Sequence, residues 1–508
     1  MKTNILLSTI ISVVALCMVS CDDFLSKAPS KEENLEIKTV EQLEALIANH
    51  NSKSKSIESN KIALYSSDNF EYSKELYKTP KQIMPSMALY QYYTWNMELA
   101  SDDSNDTGWG DYFDRIYNAN LIINEIDKAS GRDDDKRRLK AEAHFIRAHN
   151  YLSLASIYCL PYGPATKQED GLPLKRSTSF EERLDRVSLE ETYDFIENDI
   201  KEALKIDVSL YRDDLRRTWR ANKAAACALA SRFYLLKGMY AEAEKYADMA
   251  LKEDDSLIDY TSGVITQKAE VGLDENMMPI MITFPSTWTN RIDDLTFSRE
   301  TDMYYQKSII TFVDLCWLIP SRRLLNLYDQ EHDLRYRYFI VPQFSYTLLV
   351  RGAFPGYCTY NHEITSGLSV AEMLLIKAEC MVRTGQNVAG AMDVLNRLRD
   401  KRISKDAPAE VRFLSASDKQ EALRLVLDER SREMPFTMRW SDIRRCNFNE
   451  DPSDDITITR SFYDMDAYKV KDDQPKEYTL APGSRRYAAP IPKNEITSGQ
   501  GVIKQNRY

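Results

Sequence analysis

The stretch Ala221–Glu253, ANKAAACALASRFYLLKGMYAEAEKYADMALKE, reads as two helices with a turn between them. Ala225, Leu229, Phe233 and Leu236 recur at intervals of four and three, which lines them along one helical face. Gly238 breaks that helix. Tyr240, Ala243, Ala247, Ala250 and Leu251 then mark one side of a second helix, where small alanines let a partner lie close. A glycine, a tyrosine two residues on, and alanines at further steps of three and four follow the order of the tetratricopeptide unit, whose small residues sit where the helices cross. One hairpin cannot bury both its faces, so neighbours of the same kind are expected.

Val370–Arg402 repeats the plan: Ala378, Met381 and Gly385 lead into Ala391, Val394, Leu395 and Leu398. Ala141, Phe145, Ala148, Leu152 and Ala155 predict a helix to Tyr158, and Tyr112, Ile116, Ala119, Ile123 and Ile126 predict an antiparallel companion over Asp111–Lys128. Ser188 with Glu191 forms a capping box ahead of a helix over Glu190–Ile206. A first helix is expected near Thr39–Asn49. The predicted fold is therefore all-α: tetratricopeptide-like hairpins over residues 111–253 and 370–446, within one domain spanning 39–508.

Between these blocks, residues 254–346 hold no helical period for long, and Pro279, Pro285 and Pro320 interrupt them. This long irregular insertion is rich in aromatics, including Phe284, Trp288, Phe297, Phe312 and Trp317. A rigid scaffold that carries a variable insertion commonly places its binding surface there. Trp95, Trp288, Tyr304 and Tyr305 are the candidate ligand-facing aromatics, since all four fall outside the predicted helices. The plain alternative is that such side chains form a core of their own.

Residues 1–20 form a leader rather than structure, with Lys2 at the start and a mainly apolar run from Ile5 to Val19 too short to span a bilayer. The junction Met18-Val19-Ser20-Cys21 resembles a bacterial lipoprotein cleavage site, which makes Cys21 the candidate lipidation residue. Each buried acyl methylene contributes ~0.8 kcal/mol, so two or three chains hold a protein at a membrane. Residues 21–38 read as the tether between lipid and body.

The formal charge of −11 becomes one unit more negative when Lys2 leaves with the leader, and no basic stripe is present. That balance argues against a nucleic-acid partner. Cys159, Cys227, Cys316, Cys358, Cys380 and Cys446 show no paired spacing, so buried free thiols are expected.

Asp103, Asn105, Thr107, Gly108, Asp111 and Asp114 match positions of a calcium-loop template, although its last position carries Asp in place of a bidentate Glu. An acidic loop feeding negative charge to a helix amino terminus explains the same residues. No cofactor motif is present. His50, His144, His149, His332 and His362 form no HExxH, and neither GxSxG nor a phosphate-binding glycine loop occurs. A glycoside hydrolase needs only two carboxylates, which abundant acids do not by themselves supply in the right place. Glu429, Arg432, Glu433, Arg439 and Arg444 read as helix-borne ion pairs rather than catalytic groups.

Four segments together resemble the SusD and RagB outer-membrane lipoproteins of Bacteroidota. Cys21-Asp22-Asp23-Phe24-Leu25 with Pro29 is similar to their mature start, and Glu142–Pro173 to their helix ending in a Tyr-Gly-x-x-Pro-type loop. Ala371-Glu372-Met373-Leu374-Leu375-Ile376-Lys377-Ala378-Glu379 resembles their hairpin motif. Tyr487-Ala488-Ala489-Pro490-Ile491-Pro492 to Glu495, with Gln505-Asn506 and Tyr508, resembles their closing motif. Thr437-Met438 replaces an acidic turn, and the usual Asn-Pro before Gln505 is missing.

The resemblance implies a surface-exposed, lipid-anchored binding protein seated on a SusC-like TonB-dependent outer-membrane barrel, to which it hands captured oligosaccharide. Peptide or another nutrient is the alternative cargo. A helical hydrolase and a purely protein-binding repeat scaffold are the competing classes.

Overall fold

The computed structural model describes residues 37–50, 58, 61–72, 74, 87–100, 108–179, 181–182, 184–212, 215–262, 267–273, 278–285, 302–310, 319–344, 354–357, 363–385, 387–466, 469–499 and 501–508. Cys21, the leader and the tether as far as residue 36 lie outside them, as do Trp288, Asp103, Asn105, Thr107, Cys316 and Cys358. Among the described residues, no helix is long and apolar enough to cross a membrane.

The helices, in chain order, are α1 (Val40–His50), α2 (Lys61–Ser66), α3 (Met87–Tyr93), α4 (Trp109–Glu125), α5 (Asp133–Tyr158), α6 (Leu189–Ala203), α7 (Lys223–Leu236) and α8 (Tyr240–Glu253). After the insertion come α9 (Val370–Arg383), α10 (Val388–Arg399), α11 (Lys419–Glu433) and α12 (Arg439–Cys446). Several shorter helical turns join them.

The central hairpin forms where its spacing placed it. Asn222 caps α7 by accepting from the Ala225 amide, and Gly238 at φ 76° reverses the chain in the left-handed region that side chains with a Cβ disfavour. Ala243, Ala247 and Ala250 are fully buried, and their small side chains admit α9 as well as α7 against α8. This α8–α9 contact joins the two helical blocks across the whole insertion. Gly385, at φ 71°, turns α9 into α10 as Gly238 turns the first hairpin. Before them α4 packs on α5 and α5 on α6, with the Ser188 capping box formed as expected. α5 starts at Asp133 rather than Ala141, because its first two turns are solvated and carry no apolar period; Asp133, Asp134 and Asp135 there suit the helix dipole.

The expectation of an all-α chain needs correction: the main architecture is helical, but among the described residues seven two-stranded antiparallel sheets accompany it. Within the insertion, β1 (Gln267–Leu273) pairs with β2 (Pro279–Pro285), while β3 (Met303–Tyr305) and β4 (Ser308–Ile310) pair with later strands. Those partners are β5 (Glu363–Thr365), bound to β4, and β6 (Leu368–Ser369), bound to β3, both just ahead of α9. Strands of two or three residues are shorter than one full alternation, so periodicity does not reveal them. The longest hairpin, β7 (Ile458–Asp466) with β8 (Lys469–Leu480), carries a legible signal: Ile458, Arg460 and Phe462 are buried while Thr459 and Ser461 are exposed.

Buried arginine–carboxylate groups tie these elements together. Arg232 of α7 binds Glu372 of α9 through both carboxylate oxygens, at 2.6 and 2.8 Å. Arg445 and Arg383 converge on Glu379, and Glu433 accepts from Arg402 and Arg335. The residues read as helix-borne pairs are therefore mostly tertiary links. Of these, only Arg432 to Glu429 runs within one helix, and among the described residues Arg444 makes no ion pair; it donates to the Ser156 and Cys159 carbonyls.

Asp68, after α2, receives both arms of Arg439 of α12 at 2.6 Å, with Arg323 at 3.2 Å. Burial pulls its carboxyl upward, but Arg439 and Arg323 outweigh that and hold its pKa down at about 2. A carboxylate held below its unfolded value stabilises the fold above pH ~4 and loses that contribution as pH falls toward 2, a matter of about 2 kcal/mol here. Asp68→Asn is thus expected to flatten the fall in thermal midpoint between pH 4 and pH 2. An unchanged slope in a melting series over that range would remove Asp68 from the acid transition.

Candidate ligand site

Three of the four aromatics expected to face a ligand are core residues. Trp95 is 1% exposed; its backbone turns through φ 54°, and its indole Nε1 donates to the Ser66 carbonyl at 3.1 Å. The Arg460 guanidinium lies 4.5 Å from its ring centroid and 4.2 Å from that of Tyr93. Tyr304 is fully buried and donates its hydroxyl to the Asp254 carbonyl at 2.5 Å, and Tyr305 stacks edge-on against Phe145 of α5 at 4.9 Å. Stacking on a sugar needs an open ring face, and none of these three offers one. The physical reason is that β3 does not lie out on a loop: it threads beside α5 and α7, where Asn222 donates to the Tyr304 carbonyl at 2.9 Å. The fourth aromatic, Trp288, is outside the described residues.

Asp111 and Asp114 are exposed on α4, with Asp111 in its first turn, where negative charge meets the helix dipole. Among the described residues, no group of three metal-ligating side chains comes together. Cys159, Cys227, Cys380 and Cys446 are buried and unpaired, as their spacing predicted.

The structure instead opens a surface cleft that the sequence reading passed over. It lies between α1, the first turns of α5 and the chain from Val208 to Arg217, with a volume of 580 Å³. Asp135 and Arg138 also line an adjoining cleft of 500 Å³ that runs on toward Glu202 and Lys205. Volumes of this order suit one or two sugar rings or a short peptide.

Its floor is a four-membered ion cluster. Arg138 reaches Glu44 at 2.8 Å and Glu142 at 3.2 Å, and Arg220 reaches Glu44 at 2.5 Å and Glu142 at 2.6 Å. Burial dominates at Glu142 and raises its pKa against the pull of Arg220 and Arg138. At Glu44, burial is overcome by hydrogen bonds from Arg138 and Arg220, which lower it. Both carboxylates are thus engaged, and the cleft supplies a fixed set of donors and acceptors of the kind that orients hydroxyl groups.

Arg217 lines the wall and opens the turn Arg217–Arg220. Arg217 donates its amide to the Leu210 carbonyl at 2.8 Å, and the Thr218 carbonyl accepts from Gln306 of the insertion at 2.8 Å. Trp219 stands at the tip of this turn, 39% exposed. The signal was in the sequence: Arg216-Arg217-Thr218-Trp219-Arg220 places a tryptophan among arginines in an acidic chain, directly before a helix cap.

The fold is that of a helical scaffold protein with a cleft at its surface. A family model described as starch-binding associating with outer membrane matches residues 23–235, and the SusD family model matches residues 367–508. The two matches reach into both helical blocks, and the chain belongs to the SusD/RagB family. Among solved structures, a SusD superfamily protein from Bacteroides thetaiotaomicron superposes with a TM-score of 0.64 at 17% identity, covering 92% of this chain and 100% of its own. A SusD-like carbohydrate binding protein from Bacteroides vulgatus gives 0.60 at 16% identity, covering 92% of this chain and 97% of its own. At these identities the likeness is one of fold. No curated protein matches the chain by sequence.

Proposed function

We propose that this protein captures oligosaccharide at the cell surface and passes it, chemically unchanged, to a TonB-dependent barrel in the outer membrane. The observation that carries this reading is the family match on both helical blocks, one of its two models being described as starch-binding associating with outer membrane. The fold shared with a carbohydrate binding protein of Bacteroides vulgatus supports it. The tetratricopeptide-like hairpins are the rigid frame, residues 21–38 the tether, and Cys21 the lipid-bearing residue. Trp288 remains a proposed ligand-facing aromatic.

A glycan and peptide array probed with the chain from Asp22 onward tests the cargo. Retention of oligosaccharides supports the reading, and retention of peptides alone replaces it with peptide capture. Release of shortened sugars by the pure protein would make it a hydrolase. Cys21→Ala is expected to move essentially all of the protein out of the membrane fraction, because a single missing anchor removes every acyl chain. Full membrane recovery of that variant on fractionation would overturn the anchoring.

A further inference from the structure

Arg217 is half-buried on the wall of the 580 Å³ cleft, yet its guanidinium makes no hydrogen bond or ion pair with a described residue. Its neighbours are in a different state: Arg138 and Arg220 each bind both Glu44 and Glu142. The cluster carboxylates are therefore already committed and Asp135 pairs with Arg138, so Arg217 shares the lining with Glu41 and Arg212 but has no ion-pair partner among the described residues. Partial burial lowers its pKa, repulsion from Arg220 adds to this, and Arg212 and Arg138 contribute further against a single opposing Glu142. An anion placed there relieves that repulsion.

The fork is also positioned. The Arg217 amide bonds to Leu210, the Arg220 amide closes the turn onto the Arg217 carbonyl at 3.3 Å, and Gln306 fastens the Thr218 carbonyl. A guanidinium on a held backbone presents two parallel N–H groups to a carboxylate at small entropic cost. Two residues on, Trp219 offers an exposed aromatic surface in the same turn, suited to the C–H face of a pyranose ring.

We infer that Arg217 and Trp219 form a subsite for a uronic acid residue, the guanidinium holding the sugar carboxylate and the indole covering the ring. This deepens the glycan-capture reading and rests on it. The saccharide is favoured over an acidic peptide because the charge is paired with a flat aromatic at a rim, where a ring can lie.

Calorimetric titration of the full mature chain with tetragalacturonate, its methyl ester, maltotetraose and tetraglutamate tests the assignment. The acid tetramer is expected to bind about tenfold tighter than the ester, the scale of one charge-assisted pair. Arg217→Gln should erase that difference, and Trp219→Ala should weaken acid and ester alike. Both side chains are at least partly exposed, and matching melting curves will show that the variants are folded. Equal binding of acid and ester, an unaltered Arg217→Gln variant, or binding of maltotetraose alone overturns the subsite and leaves glycan capture standing. Arg217-dependent binding of tetraglutamate without any saccharide overturns both, as does failure of every oligosaccharide to bind.

Discussion

Glu429→Ala is expected to lower the free energy of unfolding by about 3–5 kcal/mol, the range for removing one partner from a buried ionic group. Glu429 lies fully buried in α11, and its carboxylate is shared by three arginines from three parts of the chain. Oε2 accepts from Arg399 of α10 at 2.7 Å and from Arg432 at 2.6 Å, and Oε1 lies 2.8 Å from Arg335 in the insertion's short helix Leu334–Phe339. Burial alone would raise this carboxyl, but Arg335, Arg432 and Arg399 together drive it far below the usual carboxylate range. Truncation leaves three desolvated guanidiniums facing one another. Urea unfolding followed by circular dichroism gives the measurement, and a loss under about 1 kcal/mol, the scale of an exposed pair, would mean that the cluster is solvated.

Arg460→Met should cost about 3 kcal/mol and alter the emission of Trp95. The guanidinium donates to the carbonyls of Tyr65 at 2.8 Å, Tyr93 at 2.7 Å and Ser66 at 3.1 Å, and to that of Ser67. Among the described residues it has no carboxylate ion-pair partner, and burial dominates and lowers its pKa. Methionine lifts the cost of burying a charge but takes the guanidinium donor from four backbone acceptors, of which Ser66 keeps the Trp95 indole; the other three cost roughly 1 kcal/mol each. It also removes the cation from the Trp95 face, so a red shift is expected that disappears in a Trp95→Phe background. An unshifted spectrum would show that Arg460 does not set the environment of Trp95.

These two clusters show where sequence patterning stops. Glu429, Arg432, Arg439 and Arg444 stand close together in the chain and invite pairing along helices. Arg439 instead binds Asp68, Arg444 binds two carbonyls at the end of α5, and Arg460 reaches back to residues that precede α4. Partners hundreds of positions apart leave no local spacing to read. Trp95, Tyr304 and Tyr305 failed as ligand-facing residues for the same cause, since a loop-like context says nothing about whether β3 or the turn after α3 is covered by other elements.

The helical hairpins, their glycine turns, the Ser188 cap and the free buried thiols were determined by the sequence alone, because each depends on residues within one or two helical turns of one another. The family resemblance was legible for a related reason, its motifs being short and contiguous. The short strands of the insertion, the shared carboxylates and the cleft walled by Arg217 were decided only in three dimensions. A side chain's exposure, and whether its charge is answered, depend on what the rest of the chain brings beside it.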